Sequence, residues 1–386
     1  MANEATATES NHTARICELR IARQSVCLLL RTICDLLRHT AWPVLLIFLL
    51  SAAQIGAQQQ QIRFNVLGLF HARELQLEPV GESVLSVTAS DAPSTSSRIL
   101  NGEPAHRQLL FRAEGDRVVV GSASAASWTA TARDGTSVAF RLTVPGKIHR
   151  VYFGQLTLRA RNGELLADVA MDRETAVASI VAAEMDSSAP LEALKAQAVA
   201  TRSFLAAGAR HLDFDFCDTT HCQFLRSPPH ANSRVSQAVQ ATRGLLIEYR
   251  GKPLAALYFS RCGGHTRSLR EVGMEPGESY PYYSVLCFWC RRHPLLWHST
   301  VDSQEPLKPH DEAERIHAAR QWGWSAIPGS DFTATENSSG QQLEGHSLGH
   351  GVGLCQFGAI GMARAGATFR QILAHYYPNT SLASSI

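Results

Sequence analysis

The chain has 386 residues, a formal net charge of +2 with histidine neutral, 45% hydrophobic and 18% charged residues. Such length and apolar content suit two folded units behind a leader and exclude a disordered or fibrous polymer. The near-neutral balance gives no electrostatic case for nucleic acid or another polyanion as partner. Residues 1–40 carry Arg15, Arg20, Arg23, Arg31 and Arg38, residues 44–50 are unbroken apolar, and Ser51, Ala52 and Ala53 follow. An apolar run well short of the ~20 residues that span a bilayer reads as a signal-peptide core. Residues 1–57 are therefore read as a leader, with an uncleaved N-terminal membrane anchor as the alternative. The expected location is outside the cytoplasm, periplasmic or cell-wall associated. Cys217, Cys222, Cys262, Cys287, Cys290 and Cys355 remain beyond the leader, an even number that permits disulfides in an oxidising compartment.

From 62 to 149, short apolar runs alternate with turn residues such as Gly81, Gly115, Gly121 and Gly135, the pattern of a small β-rich domain. Residues 151–160 and 165–169 predict a hairpin turning at Arg161-Asn162-Gly163, and a domain boundary is expected near Lys147. The second unit, 150–386, then begins with a stretch of mixed character, 177–202. Glu184 closes an apolar segment. Pro190 opens a helix, where its missing N–H is harmless. Leu191, Leu194, Ala198 and Leu205 make an apolar stripe flanked by Lys195 and Arg202. Further on, 245–249 and 254–259 predict a hairpin around 250–253. Residues 271–303 predict a long loop, and 312–322 and 369–377 predict helices. The expected class is α+β, a helical and mixed-sheet catalytic unit with a small β-rich N-terminal domain.

Four stretches carry candidate chemistry. A carboxyl on an apolar element, as at Glu184, tends to a raised pKa and so to general acid work; a solvent-facing Glu paired with Lys195 is the bland alternative. His211, Cys217, His221 and Cys222 supply a zinc ligand set, but adjacent His221 and Cys222 diverge in most backbone conformations, and a Cys217–Cys222 disulfide explains the same residues. The Tyr258–Thr266 stretch contains the pair Gly263-Gly264, which permits a sharp turn or close approach of backbone to a ligand; Ser260 and His265 lack any nucleophile elbow. Cys262 with Cys287, Cys290 and Cys355 makes a second cluster, metal-binding or disulfide-bonded. Last, 345–359 alternates Gly and His, with His346, His350 and Gln356 able to meet sugar hydroxyls, and lacks the Gly-Lys-Ser/Thr ending of a phosphate loop.

Glu184-Met185 followed by Pro190-Leu191-Glu192-Ala193-Leu194-Lys195-Ala196-Gln197-Ala198-Val199-Ala200-Thr201-Arg202 resembles the signature of the stage II sporulation protein D family. The Cys217-to-Gln223 stretch, the Tyr258-to-Thr266 stretch, the run from Gly349 through Ala359 and the closing Ile372-to-Pro378 segment resemble it too. The resemblance covers roughly 151–382. It implies a peptidoglycan lytic transglycosylase acting on glycan strands stripped of stem peptides, with Glu184 as the catalytic carboxyl. It also implies substrate contacts from Lys195, Gln197, Arg202, Ser260, Gly264, His350 and Gln356. No cofactor is needed for that chemistry. Zinc is associated with some members, which favours the His211-to-Cys222 set as a structural site. Related sequences are described as enhancers of an N-acetylmuramoyl-L-alanine amidase, so glycan strands and another wall hydrolase or amidase are the expected partners. Two positions depart from the family pattern: 173–176 lacks the acidic-Tyr pair, and Arg261 stands where small hydroxyl residues are common.

Overall fold

The structure, a computed structural model, describes residues 61–91, 98–100, 108–274, 280–303, 305–337 and 340–384. The predicted leader lies outside the described residues. The fold is α+β: a twelve-stranded, curled and largely antiparallel sheet precedes a helical region, and smaller sheets close the C-terminal half. The strand Ile148–Arg161 organises the large sheet. Its first half pairs with Val138–Val144, and its second half pairs with Ser127–Thr131 on one side and Glu164–Asp172 on the other. The partners change at Gly154, where a Cβ would stand 2.4 Å from the Ala170 carbonyl oxygen. The predicted turn is present, with Asn162 and Gly163 at φ 52° and 78°, the left-handed pair that a two-residue hairpin requires.

The expected boundary near Lys147 falls next to this continuous strand. Gln61–Val66 lies beside Glu164–Asp172 and also pairs in parallel with Phe216–Cys217. One apolar core runs from Ile62 through Trp128, Leu156 and Ile180 to Val239, and the described residues from Ile62 onward form a single compact unit.

Helix α1, Arg173–Glu184, starts on Asp172, whose side chain accepts from the Thr175 N–H. Helix α2, Leu191–Ala206, starts one residue later than the sequence predicts, because Pro190 is its cap with extended ψ 141°. The apolar stripe expected on α2 is an understatement. From Ala193 to Leu205 every residue except Lys195 is buried. Leu194 and Ala198 face the first core, while Ala196, Val199 and Ala200 face a second one built on Ile247, Tyr280, Leu354 and Ile372. An apolar surface all round marks a central helix, and the run of alanines lets neighbours approach closely.

Five further helices follow: α3, Arg234–Ala241; α4, Phe288–Arg292; α5, Glu312–Trp322; α6, Gln356–Arg364; and α7, Phe369–Tyr376, of which α3, α6 and α7 pack on α2. The predicted long loop holds α4 and the strand Trp297–Val301. The predicted hairpin after 245 is shorter than expected: Arg250 and Gly251 make the turn, and Leu245–Tyr249 takes the C-terminal strand Ser381–Ser384 as its other neighbour. Tyr258–Phe259 pairs instead, in parallel, with Leu354–Cys355. That pairing brings two of the sequence motifs side by side.

Candidate active site and metal centres

Glu184 is the last residue of α1 and is partly buried. Burial pushes its carboxyl above the ordinary range, opposed by a hydrogen bond from Gln356 and by the charge of Arg226. Among the described residues no second carboxylate contributes to that shift. Gln356 is the first residue of α6, and its amide also donates to Gln197 Oε1 at 3.4 Å. Gln197 in turn donates to Thr201 Oγ1 at 3.3 Å. The Thr201 hydroxyl meets the Tyr258 phenol, which donates to Gln223 Oε1. Tyr258 is held neutral, first by burial and then by the Glu184 charge. A chain of neutral hydrogen-bonding side chains thus runs from Glu184 across α2 to the loop after Cys222. Arg226 also lines a groove of about 530 Å³ together with Val151, Ala182, Phe224 and Ser227; Glu184 itself is not among the lining residues. Arg226 is fastened to α1 through its N–H to the Ser179 carbonyl, 3.4 Å.

Of the residues predicted to contact substrate, Gln356 and Gln197 join this chain. Arg202 does not. It is fully buried, with Nε and Nη2 on Glu174 at 2.8 and 2.7 Å and its remaining donors on the carbonyls of Ala198, Leu245 and Val239. All five guanidinium donors are engaged, so nothing of Arg202 is left for a ligand. Lys195 pairs with Glu192 at 2.7 Å and lies 6.0 Å over the Phe369 ring, turned to α7.

His350 is also committed to the fold. The Val352 N–H donates to its Nδ1 at 3.1 Å, so Nε2 carries the proton and donates to the Tyr258 carbonyl at 3.0 Å. Burial depresses its pKa, keeping the ring neutral. Gly264 is buried, at φ 138°, with its carbonyl on the Cys287 N–H. Ser260 is exposed, and its carbonyl accepts from Phe357. Arg261 stacks 4.0 Å over the Phe357 ring and donates to the His293 carbonyl. Sequence reasoning passed over Tyr258, Thr201, Gln223 and Arg226. Their only sequence signal is polar character inside segments that are otherwise apolar or motif-like.

The two cysteine-containing groups each converge. The ligand atoms of His211, Cys217, His221 and Cys222 all lie within 4.8 Å of one another, and neither cysteine is in a disulfide. His211 Nε2 and His221 Nδ1 stand 3.1 and 3.3 Å from Cys222 Sγ, and Cys217 Sγ is 3.7 Å from His221 Nδ1. The adjacent His221 and Cys222 therefore do point to one place, contrary to expectation, because the turn after Phe216–Cys217 folds the chain back on itself. The Cys217 thiol is pulled down to about 4, first by the Cys222 hydrogen bond and then by Thr219 and the two histidines. Two sulfurs and two imidazole nitrogens in this arrangement fit tetrahedral zinc. Cys262, Cys287, Cys290 and Cys355 converge likewise, all four buried and none in a disulfide.

Residues 161–249 match the family model described as stage II sporulation protein, SpoIID. An uncharacterized protein of Brachyspira hyodysenteriae is 30% identical over 263 residues, covering 58% of this chain and 70% of that protein. Stage II sporulation protein D of Bacillus subtilis is 25% identical, over 55% of this chain and 74% of its own length. The chain belongs to the stage II sporulation protein D family. The amidase enhancer of Bacillus subtilis is also similar, 23% identical over 53% of this chain, but only 40% of that longer protein is covered. The family-model match covers Glu184, α2 and His211, Cys217, His221 and Cys222, and the four-cysteine group lies beyond it.

Proposed function

We propose that the protein is a peptidoglycan lytic transglycosylase that cleaves the bond between N-acetylmuramic acid and N-acetylglucosamine. The observation behind this reading is Glu184 itself: one carboxyl, raised by burial, with Gln356 and Arg226 acting on it and no second carboxylate contributing to the shift. A glycosidase that activates water or forms a glycosyl-enzyme needs two carboxyls about 5–9.5 Å apart. One suffices when the nucleophile belongs to the substrate. Glu184, protonated, gives its proton to the glycosidic oxygen as the C1–O bond breaks. The carboxylate left behind takes the proton of the muramic acid C6 hydroxyl as that oxygen bonds to C1, and a 1,6-anhydro end results. The intramolecular attack gains its rate from proximity. Gln356 holds the carboxylate form through its amide, and Arg226 stabilises the same charge.

The two-His, two-Cys set would hold a structural zinc, which ties the loop 211–222 together and so seats Gln223 and Arg226; the chemistry itself uses only protein and substrate groups. Export by the leader, to the periplasm or cell wall, belongs to the same proposal because the substrate lies there. Purified glycan strands incubated with the protein should yield anhydro-muramic ends by mass spectrometry, absent with Glu184→Gln. The second reading, a non-catalytic enhancer of a wall amidase, has the amidase enhancer likeness in its favour. It is preferred if the intact protein makes no anhydro ends yet stimulates an added amidase.

A further inference from the structure

The buried four-cysteine group is not used by the reaction above, and two observations separate it from a pair of disulfides. First, four sulfurs meet at one point, all within 4.8 Å of one another, with Cys290 and Cys355 Sγ 3.6 Å apart. A zinc–sulfur bond of about 2.3 Å sets the edge of a four-sulfur tetrahedron at about 3.8 Å, whereas a disulfide joins sulfurs in twos at about 2 Å. Second, the surroundings suit thiolates. Cys355 caps α6, and its sulfur accepts from the Gly358 N–H at 3.4 Å. Tyr376 Oη lies 3.5 Å from Cys287 Sγ, and the positive end of a helix favours negative charge.

We propose that Cys262, Cys287, Cys290 and Cys355 form a second zinc site, separate from the two-His, two-Cys set. Each thiol gives up its proton on binding, so four zinc–sulfur bonds replace four S–H bonds and the site carries a net charge of about −2. The Gly358 N–H and the α6 N-terminus offset that charge. The ligands come from three places: the turn after Tyr258–Phe259, the two ends of the Cys287-Phe288-Trp289-Cys290 turn of α4, and the start of α6. Backbone geometry makes room for them. Gly263 and Gly264 adopt φ 72° and 138°, and a Cβ at Gly358 would stand 2.5 Å from Cys287 Sγ. The site clamps α4 onto α6, where the Trp289 ring occupies the space a Gly361 side chain would need.

Its place in the molecule parallels that of the first set. Gln223 directly follows the ligand Cys222, and Gln356 directly follows the ligand Cys355. Both glutamines belong to the hydrogen-bond chain around Glu184, one at each end. One metal centre anchors each end of that chain.

The test is elemental analysis of the full chain purified under reducing conditions without added metal, a readout independent of any wall-cleaving activity. About two zinc ions per chain are expected, falling to about one in Cys287→Ser/Cys290→Ser and also to about one in His211→Ala/Cys222→Ser. Should the first variant fail to fold, the cobalt(II)-loaded second variant keeps the question open to measurement, because four thiolates give intense sulfur-to-cobalt charge-transfer absorption. No zinc in the intact protein, or a single zinc that persists in Cys287→Ser/Cys290→Ser, overturns the site. So does a mass deficit showing Cys262, Cys287, Cys290 and Cys355 joined in disulfides, and so does cobalt(II) absorption lacking those bands. Stoichiometric iron in place of zinc overturns the metal's identity.

Discussion

Replacing Arg202 by Met removes a guanidinium whose side chain is 0% exposed and whose carboxylate partner, Glu174, is 18% exposed. The loss strands the Glu174 carboxylate and takes the donors from the Leu245 and Val239 carbonyls. Breaking one partner of a buried pair costs about 3–5 kcal/mol. Residual water access to Glu174 places this case near the lower end, about 3 kcal/mol. At roughly 2–4 °C per kcal/mol, Arg202→Met should melt about 6–12 °C below the parent. Glu174→Leu should be similarly damaging, yet the double replacement should cost less than the sum, with a coupling of at least about 1 kcal/mol. Thermal unfolding followed by circular dichroism reads all four proteins. A parent-like melting point for Arg202→Met, combined with lost activity on glycan strands, would falsify the assignment of Arg202 to the frame and return it to the substrate.

Because burial raises the Glu184 pKa, the acid form persists to higher pH than an ordinary glutamate allows, and the rate should fall as pH rises through that raised value. Arg226→Ala removes a charge that lowers it, so the falling limb of the pH–rate profile should move upward, while Arg226→Lys leaves it in place; a limb that stays put in Arg226→Ala sinks the electrostatic link. Glu184→Gln should lower the rate by about 10²–10⁴-fold, the range for loss of a general acid, with an unchanged melting curve. Gly361→Ala should destabilise by about 1–3 kcal/mol in denaturant titrations, since its Cβ would sit 2.2 Å from the Trp289 ring; a more stable variant, as helix propensity alone predicts, contradicts the packing described. Chelation of zinc from the Cys287→Ser/Cys290→Ser variant should lower its melting temperature further, and an indifferent melting curve argues against a structural metal at His211, Cys217, His221 and Cys222.

Local chemistry made much of this protein legible. Asn162-Gly163 specified its own turn, and Glu184 stood out as a carboxyl on an apolar segment. The ordered motifs after it carried the family resemblance. Spacing along a helix tells which residues share a side, not whether that side meets solvent or another element, so it does not show that Lys195 turns to Glu192 and α7 or that Arg202 is buried. Arg202 looked like a cation flanking an apolar stripe; with α2 packed on every side, the same cation became a buried brace for α1, α3 and the strand Leu245–Tyr249. His221 and Cys222 show the opposite error, since a tight turn brings together neighbours that an ordinary backbone would hold apart.

The sequence by itself determined the α+β class, the nature of the candidate acid and the candidate metal ligands. Tertiary structure alone decided how these combine, because its decisive contacts join residues far apart in the chain. Cys290 meets Cys355 across 65 positions, and Gln197 meets Gln356 across 159. The long strand Ile148–Arg161 joins two regions that composition separates, and the parallel pairing of Tyr258–Phe259 with Leu354–Cys355 sets the Gly-Gly motif against the Gly-His motif. No periodicity encodes such meetings; they follow from burying both sides of α2 at once.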